Sequence, residues 1–428
     1  MRLVLLDIDA ERRRNFDPLC LSRPIWELRC GITNLARKLI ARTGATDVAY
    51  FVPDYMAEAY KERCGGTVND VAALAGDDLL LVNARVKADA LNVEPLGPSE
   101  VGKGPDGELM YARVAREDLA RIEGPCITCW TALAAEALPT KQVDLETWNY
   151  AWDLVLSNPD QITADFNALG RSGIEGVVEQ PNAIRGSAAD VFVAQGAVVH
   201  PMVVLDAEHG PIYLDEEVEV HPFTRIEGPC HVGRKSILLG AKCREGNSIG
   251  ELCRVGGEIE ESIIQGYSNK YHDGFLGHAY VGEWVNLGAM TTNSDLKNDY
   301  GSVEVALDGR RPIDTGSTKV GSLIGDHAKT SIGTLLNTGS YVGAMALILA
   351  TGKPLPKHIP SFAWFLEGVV TKGFGRKKLY ETARTAMGRR GKEFTAAEQA
   401  LWEAVFALTA ERRDPAVKKG RRMMRNRR

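Results

Sequence analysis

The pairs Val218-Glu219, Val232-Gly233, Ile249-Gly250, Val281-Gly282, Leu287-Gly288, Ile324-Gly325 and Val342-Gly343 recur through residues 193–348, in places at six residues or a multiple of six. A hexapeptide period is typical of a parallel β-helix, in which three hexapeptides, about 18 residues, make one coil. The aliphatic residue of each pair would fill the interior, and the small or acidic residue would lie near a tight corner. A β-sandwich with alternating strands is the alternative, and so long a repeat disfavours it.

The repeat loses its period at two places, around Gly256-Gly257 and across residues 308–318. We interpret both as loops that leave the prism. A linker is predicted over residues 167–192, the β-helix over 193–353, and a capping segment with a helical, basic tail over 354–428.

The first 166 residues show a different pattern, in which short aliphatic strands alternate with helices. Strands are predicted at residues 2–7, 47–52 and 78–82, and the alternation indicates an α/β domain with a parallel sheet. A helix is predicted to begin at Pro24 and to end at Gly44. Ligands of such sheets bind at the carboxyl ends of the strands, which places residues 7–23 and 83–85 on one rim.

Composition limits the partners and the compartment. The net charge of -5 favours neither a membrane nor nucleic acid as the main partner. No apolar run approaches the roughly 18 residues of a membrane span, and the N-terminus does not resemble a signal peptide, so a cytoplasmic protein is expected. The eight cysteines should then be reduced. Cys126 and Cys129 are predicted to pack in a buried strand, with a metal or redox role as the alternative.

A resemblance emerges from the order of motifs in the first domain. A strand is followed by Arg12–Arg14, Pro18-Leu19 and Arg23-Pro24, and the domain closes with Tyr150-Ala151-Trp152-Asp153-Leu154-Val155. This order resembles sugar-1-phosphate nucleotidyltransferases, especially a branch related to the bifunctional N-acetylglucosamine-1-phosphate uridylyltransferase/glucosamine-1-phosphate acetyltransferase. The resemblance implies a Rossmann-like α/β nucleotidyltransferase domain followed by a left-handed parallel β-helix.

The resemblance also implies roles for residues of the first domain. Phosphate or nucleotide binding falls to Arg12, Arg13, Arg23, Asn83 and Lys103, and Asp153 is the candidate ligand for Mg²⁺. A solvated charged loop is the alternative. Two departures stand out: residues 7–11 lack the glycines of the family's phosphate loop, and Asn83-Ala84 replaces the family's metal-binding Gly-Asp.

Residues 267–299 contain the candidate catalytic residues of the β-helix. Its Ser268-Asn269-Lys270-Tyr271-His272 and Asn286-Leu287-Gly288-Ala289 are similar to motifs of the bifunctional enzyme. The resemblance makes His272 the catalytic base and Asn286 a substrate-binding residue of an acyl transfer from acetyl-CoA. It further implies a homotrimer, with Gly288, Ala289, Gly343 and Ala344 beside the CoA arm. His278 is a competing base, and packing of His272 in a loop is the alternative.

Departures in this domain leave three hypotheses open. Phe275 replaces the family's acceptor-site Tyr, Leu238 its acceptor-binding Arg, and Gly256 lies near the position of its Lys. In the first, the β-helix transfers an acyl group to a sugar phosphate or nucleotide sugar. In the second, only the first domain acts, as a nucleotidyltransferase on a trimeric scaffold. In the third, the protein is a non-catalytic sugar-phosphate-binding assembly module.

Overall fold

The computed structural model describes residues 1–349 and 352–426. Residues 350–351 of the predicted β-helix and 427–428 of the predicted tail lie outside the described residues.

A mixed seven-stranded sheet forms the first domain, in the order β3-β2-β1-β4-β6-β5-β7. Its strands are β1 (Arg2–Leu6), β2 (Asp47–Phe51), β3 (Thr67–Val68), β4 (Leu79–Asn83), β5 (Glu100–Lys103), β6 (Leu109–Val114) and β7 (Thr140–Gln142). Central β1 is parallel to β2 and β4, as the alternating pattern predicts. Antiparallel β6 then extends the sheet beyond the predicted part.

Six α-helices accompany this sheet: α1 (Ala10–Arg13), α2 (Leu35–Thr43), α3 (Ala57–Cys64), α4 (Ile127–Ala137), α5 (Ala151–Leu156) and α6 (Asn158–Leu169). Helix α2 ends at Gly44 as predicted, with φ +64°, but it begins at Leu35 and not at Pro24. The Asp7 carboxylate accepts from the Ile25 amide at 3.0 Å, which holds that segment on the sheet. The buried strand predicted at Cys126 is wrong, because this residue caps α4 and both Cys126 and Cys129 are exposed.

Parallel strands form three faces of a β-helix. The first face contains β8 (Gly173–Ile174), β11 (Val191–Val193), β14 (Ile212–Leu214), β17 (Cys230–Val232), β19 (Asn247–Ile249), β21 (Ile263–Gly266), β24 (Tyr280–Glu283), β28 (Leu323–Ile324), β31 (Tyr341–Val342) and β33 (His358–Ile359). The second contains β9 (Val177–Val178), β12 (Val198–Val199), β15 (Glu219–Val220), β22 (Asn269–Lys270), β29 (Lys329–Thr330), β32 (Leu347–Ile348) and β34 (Trp364–Leu366). The third contains β10 (Ala183–Gly186), β13 (Val204–Ala207), β16 (Arg225–Glu227), β23 (Phe275–Gly277), β25 (Thr292–Asn293) and β30 (Leu335–Leu336), while β18 (Ile237–Cys243) and β20 (Arg254–Glu260) bend from the second face into the third.

The interior of the β-helix is an aliphatic stack, as the hexapeptide pattern predicts. Leu214 pairs with Val232, and Ile324 with Val342, so a coil advances eighteen residues at each of these places. The stacked residues of the first face are all at most 2% exposed: Val193, Leu214, Val232, Ile249, Ile264, Val281, Ile324, Val342 and Ile359. Burying each such side chain stabilises the fold by about 1.5–3 kcal/mol. The predicted parallel β-helix is therefore confirmed.

The limits of the β-helix differ from those predicted. Strands β8, β9 and β10 lie in the predicted linker, yet they pair with β11, β12 and β13, so coiling starts at Gly173. Residues 308–318 do leave the prism, since β26 (Glu304–Val305) and β27 (Ile313–Asp314) form an antiparallel hairpin there. A loop at Gly256-Gly257 is wrong, because both glycines lie within β20.

The two domains pack directly on each other through the first face. Tyr280 Oη donates to the Arg29 carbonyl at 3.0 Å, and Ser248 Oγ donates to the Gly31 carbonyl at 2.7 Å. Asn158 Nδ2 donates to the Gly246 carbonyl at 2.8 Å. The α/β domain therefore occupies one side of the prism, and this leaves the second face for the C-terminal helices.

Three helices follow the β-helix: α7 (Arg376–Gly388), α8 (Ala396–Leu408) and α9 (Ala410–Asn426), after the antiparallel β35 (Val369–Thr371). Thr395 caps the N-terminus of α8, since its Oγ1 accepts from the Glu398 amide at 3.1 Å. The basic tail continues as helix α9 and packs on β35, where Gly420 contacts the Val370 carbonyl closely. Among residues 1–349 and 352–426, no helix has both the length and the apolar composition needed to cross a bilayer.

Candidate functional site

The predicted base His272 lies on an exposed corner between β22 and β23. Lys270, only 3% exposed, fixes this corner: its Nζ donates to the carbonyls of Gly256 and His272, both at 2.9 Å. Burial lowers the pKa of Lys270 to about 8. The imidazole itself contacts the Tyr271 ring edge to face, with the ring centroids 4.9 Å apart. His272 is thus held by its backbone while its ring faces solvent.

Asn286 belongs to a row of outward-facing polar residues on the second face. Arg254 pairs with Asn269, and isolated bridges join Asn269 to Asn286 and Asn286 to Lys329. We call these four residues the polar column. Asn286 is exposed, and its Oδ1 accepts from Asn269 Nδ2 at 3.3 Å. The structure therefore places Asn286 beside side chains that can bind a ligand.

Helix α7 covers part of the polar column and encloses a cavity of about 370 Å³. We call it the column cavity; it is lined by Tyr267, Asn269, Trp284, Val285, Asn286, Lys329, Thr382, Thr385, Ala386, Arg389 and Arg390. The Tyr267 and Trp284 rings stack at 4.4 Å and form an aromatic wall. Sequence reasoning missed this site, because α7 was not predicted. The paired Arg389-Arg390 was the available signal.

The four predicted CoA-binding positions fall into two groups. Gly288 and Ala289 follow Asn286 and are partly exposed, although the Gly288 amide already donates to Thr330 Oγ1 at 2.9 Å. Gly343 and Ala344 lie under other segments instead: Ala344 is fully buried, and a side chain at Gly343 would collide with the Ser361 backbone. In the single chain, Gly343 and Ala344 therefore lack the open groove that the prediction requires.

The competing base His278 is committed to an ionic network. It is 2% exposed, with Nδ1 2.8 Å from Asp295 and Nε2 3.2 Å from Glu261. Burial alone would lower the pKa of His278, but these carboxylates outweigh it and raise the pKa to about 9. The ring is consequently protonated at neutral pH and cannot accept a proton. This leaves His272 as the better candidate base.

In the α/β domain, the carboxyl ends of β1 and β4 border a cavity of about 340 Å³. We call it the strand-end cavity; it includes Asp7, Asp9, Arg12, Asn83, Arg85, Asp106 and Glu108. Residues 7–12 and 83–85 thus meet at one rim, as predicted. The cations here are already neutralised: Arg12 pairs with Asp106 and Glu108, and Arg85 also pairs with Glu108.

Two of the predicted phosphate-binding arginines are structural, and for them the prediction is wrong. Arg13 is 6% exposed, pairs with Asp7, and donates to the Arg23 carbonyl at 2.7 Å. Arg23 is 3% exposed and pairs with Asp326 and, at 3.0 Å, with Glu283, both from the β-helix. It therefore joins the two domains and is not free to bind a phosphate.

The remaining candidates do not assemble a metal site. Asp153 Oδ2 accepts from the amides of Asn149 and Tyr150 at 2.8 and 2.9 Å, and so it caps α5. Asn83 Oδ1 accepts from the Arg85 amide, while its Nδ2 donates to Glu108. Lys103 lies on β5, outside the strand-end cavity. These residues do not fit a bound Mg²⁺.

Comparison with known proteins agrees with the domain order. Residues 4–172 match the sequence model of the family described as sugar nucleotidyl transferase. A bifunctional sugar-1-phosphate nucleotidylyltransferase/acetyltransferase of Sulfurisphaera tokodaii is 33% identical over 150 residues, covering 32% of this chain and 35% of that protein. The bifunctional protein GlmU of Jannaschia sp. is 27% identical over 264 residues, covering 59% of this chain and 52% of that protein.

This chain therefore spans about a third to a half of the length of the curated relatives it matches. A crystal structure of a UDP-N-acetylglucosamine acyltransferase aligns with 58% of this chain and 93% of that chain, at 14% identity and a TM-score of 0.20. The sequence matches alone confirm the resemblance seen in the motifs. Residues 4–172 of this chain are thus similar to the sugar nucleotidyl transferase family, and a parallel β-helix follows them.

Proposed function

We propose that the β-helix transfers an acetyl group from acetyl-CoA to a sugar phosphate or a nucleotide sugar. The observation that carries this proposal is the exposed His272 on a corner that Lys270 anchors, within a motif similar to that of bifunctional acetyltransferases. The name of the Sulfurisphaera tokodaii relative supports the same chemistry.

His272 would act as a general base. The acceptor's amine nitrogen or hydroxyl oxygen bonds to the thioester carbonyl carbon while its proton passes to the imidazole. The carbon–sulfur bond then breaks, and the CoA thiolate leaves and takes up a proton. Asn286 and the partly exposed Gly288 and Ala289 lie on the coil that follows the one carrying His272. They would orient the two substrates.

We further propose that the protein acts as a homotrimer in the cytoplasm. In β-helix acyltransferases the CoA arm lies between subunits, and an exposed corner residue such as His272 can reach such a groove. Thiols that carry no disulfide are typical of the cytoplasm, and all eight cysteines here are free.

The direct test is His272→Ala, assayed by release of free thiol from acetyl-CoA with hexosamine 1-phosphates and nucleotide sugars as acceptors. We expect turnover to fall by about 10²–10⁴-fold, the contribution typical of a positioned base. His209→Ala removes another exposed histidine of the same β-helix and should leave turnover unchanged. Equal turnover of His272→Ala and wild type would remove His272 from the mechanism.

Nucleotidyl transfer by the α/β domain is the second candidate. The family match over residues 4–172 and the position of the strand-end cavity favour it. The acids of the cavity oppose it, since Asp7, Asp9, Asp106 and Glu108 would repel a triphosphate. Purified protein with Mg²⁺ and an NTP should release pyrophosphate with some sugar 1-phosphate if this activity exists. No release across the common sugars would exclude it.

A further inference from the structure

The column cavity contains cations that no carboxylate neutralises. Lys329, Arg389 and Arg390 line it, and within the described part of the chain no acidic side chain does. None of the three forms a salt bridge among the described residues: Lys329 Nζ donates to the Trp284 carbonyl at 2.8 Å, and Arg390 Nη2 donates to Asn269 Oδ1 at 3.1 Å. Neutral oxygens satisfy hydrogen bonds, but they leave the positive charge uncompensated.

A fourth cation increases the repulsion. Arg254 lies in the polar column next to Asn269, and its Nη1 donates only to the carbonyls of Lys235 and Cys253. Burial, and next the charge of Arg390, lower the pKa of Arg254. Burial also lowers the pKa of Lys329 to about 8. A partly enclosed group of like charges is costly unless an anion joins it.

We propose that the column cavity binds a phosphate group of one of the two acyl-transfer substrates, with Lys329, Arg389 and Arg390 as its ligands. This inference rests on the proposed function and deepens it, because Asn286 lines the same cavity. Arginine donates two parallel hydrogen bonds to phosphate oxygens, and lysine adds a point charge.

The assignment also accounts for two departures noted in the sequence. The acceptor-binding Arg of the resembling family falls at Leu238 in this chain, and its Lys falls near Gly256. Arg389 and Arg390, which directly follow α7, line the column cavity on the second face. The C-terminal segment therefore adds two positive charges to those that Lys329 and Arg254 of the coil already supply. The phosphate group that binds in the column cavity would belong either to CoA or to the sugar phosphate. A binding experiment can distinguish these two sources.

The test is calorimetric titration of the full chain at low ionic strength with four probes: inorganic phosphate, CoA, 3′-dephospho-CoA and a hexosamine 1-phosphate. The test variant is Arg389→Gln/Arg390→Gln. Its matched control is Lys377→Gln/Lys378→Gln, which removes the same charge from exposed positions in the first turn of α7, the helix that precedes Arg389. Equal melting temperatures of the two variants show that folding is unaffected.

We expect the test variant to bind at least one organic phosphate about tenfold more weakly or worse, while the control binds like wild type. Weaker binding of CoA but not of 3′-dephospho-CoA assigns the site to the acyl donor's 3′-phosphate. Weaker binding of the hexosamine 1-phosphate assigns it to the acceptor. If wild type binds none of the probes, or the test variant binds all of them like the control, the inference is overturned.

Binding is measured without turnover, which separates this inference from the proposed acyl transfer. His272→Ala should keep the phosphate affinity of wild type even where thiol release is lost. A chain that binds phosphate through Arg389 and Arg390 but transfers no acyl group would refute the proposed function and leave the binding site standing.

Discussion

The strand-end cavity and the column cavity both contain basic side chains, but they differ in what surrounds those charges. In the strand-end cavity, Arg12 and Arg85 pair with Glu108, so the charges cancel within the protein. In the column cavity, Lys329 and Arg390 donate to neutral oxygens and form no salt bridge with any residue that the structure describes. The family match covers the first cavity, whereas the unpaired cations lie in the second. Sequence similarity and uncompensated charge therefore point to different parts of this molecule.

Breaking the contact between the domains should have the largest effect. Arg23→Met leaves Asp326, which is 2% exposed, without its cation. Removing one partner of a buried ion pair costs about 3–5 kcal/mol. Urea unfolding followed by circular dichroism should show this loss. Arg121→Gln, which breaks an exposed pair with Asp118, should cost less than about 1 kcal/mol. Similar losses for both variants would contradict a structural role for Arg23.

His278 should make stability depend on pH. Its pKa of about 9 in the fold lies above the unfolded value of 6.5, so its contribution is complete below about pH 6.5 and is lost as the pH rises through 9. The upper limit is about 3 kcal/mol. Thermal unfolding between pH 6.5 and 9.5 measures it. In His278→Asn this dependence should be weaker, and Asn tolerates the local φ of +45°. The same pH dependence in both proteins would refute the ionic network.

Neutralising one acid of the strand-end cavity should alter binding more modestly. Glu108→Gln removes the carboxylate that Arg12 and Arg85 share and leaves Arg12 paired with Asp106, so we expect pyrophosphate to bind up to about tenfold more tightly than in wild type. Isothermal titration measures the change, and Glu146→Gln, which removes an exposed surface acid, is the control. An unchanged affinity would contradict the idea that the salt bridges of Glu108 with Arg12 and Arg85 weaken anion binding in this cavity.

The parts that sequence reasoning predicted well are those with a short period. The aliphatic stack at Val232, Ile249 and Val342 follows directly from the hexapeptides, because each coil repeats the same local environment. Strands β1, β2 and β4 were predicted within two residues of their observed bounds. The end of helix α2 at Gly44 was also predicted correctly.

The rest depended on contacts between distant segments. Arg23 looked like a phosphate ligand because its partner Asp326 lies on the other domain. Helix α7 was missed, and with it the cavity that Asn286 shares with Arg389 and Arg390. In the sequence His278 resembled an unpaired base, but in the fold its ring contacts the carboxylates of Asp295 and Glu261. Each of these pairings is set by how the chain packs, which no local pattern records.

The most direct test of this account is hydrogen–deuterium exchange of the full chain with and without saturating CoA or hexosamine 1-phosphate. We predict slower exchange in α7 and in residues 267–290, with residues 7–14 and 83–85 unchanged. Slower exchange at residues 7–14 and 83–85, with none in α7, would place phosphate recognition in the strand-end cavity and contradict the account.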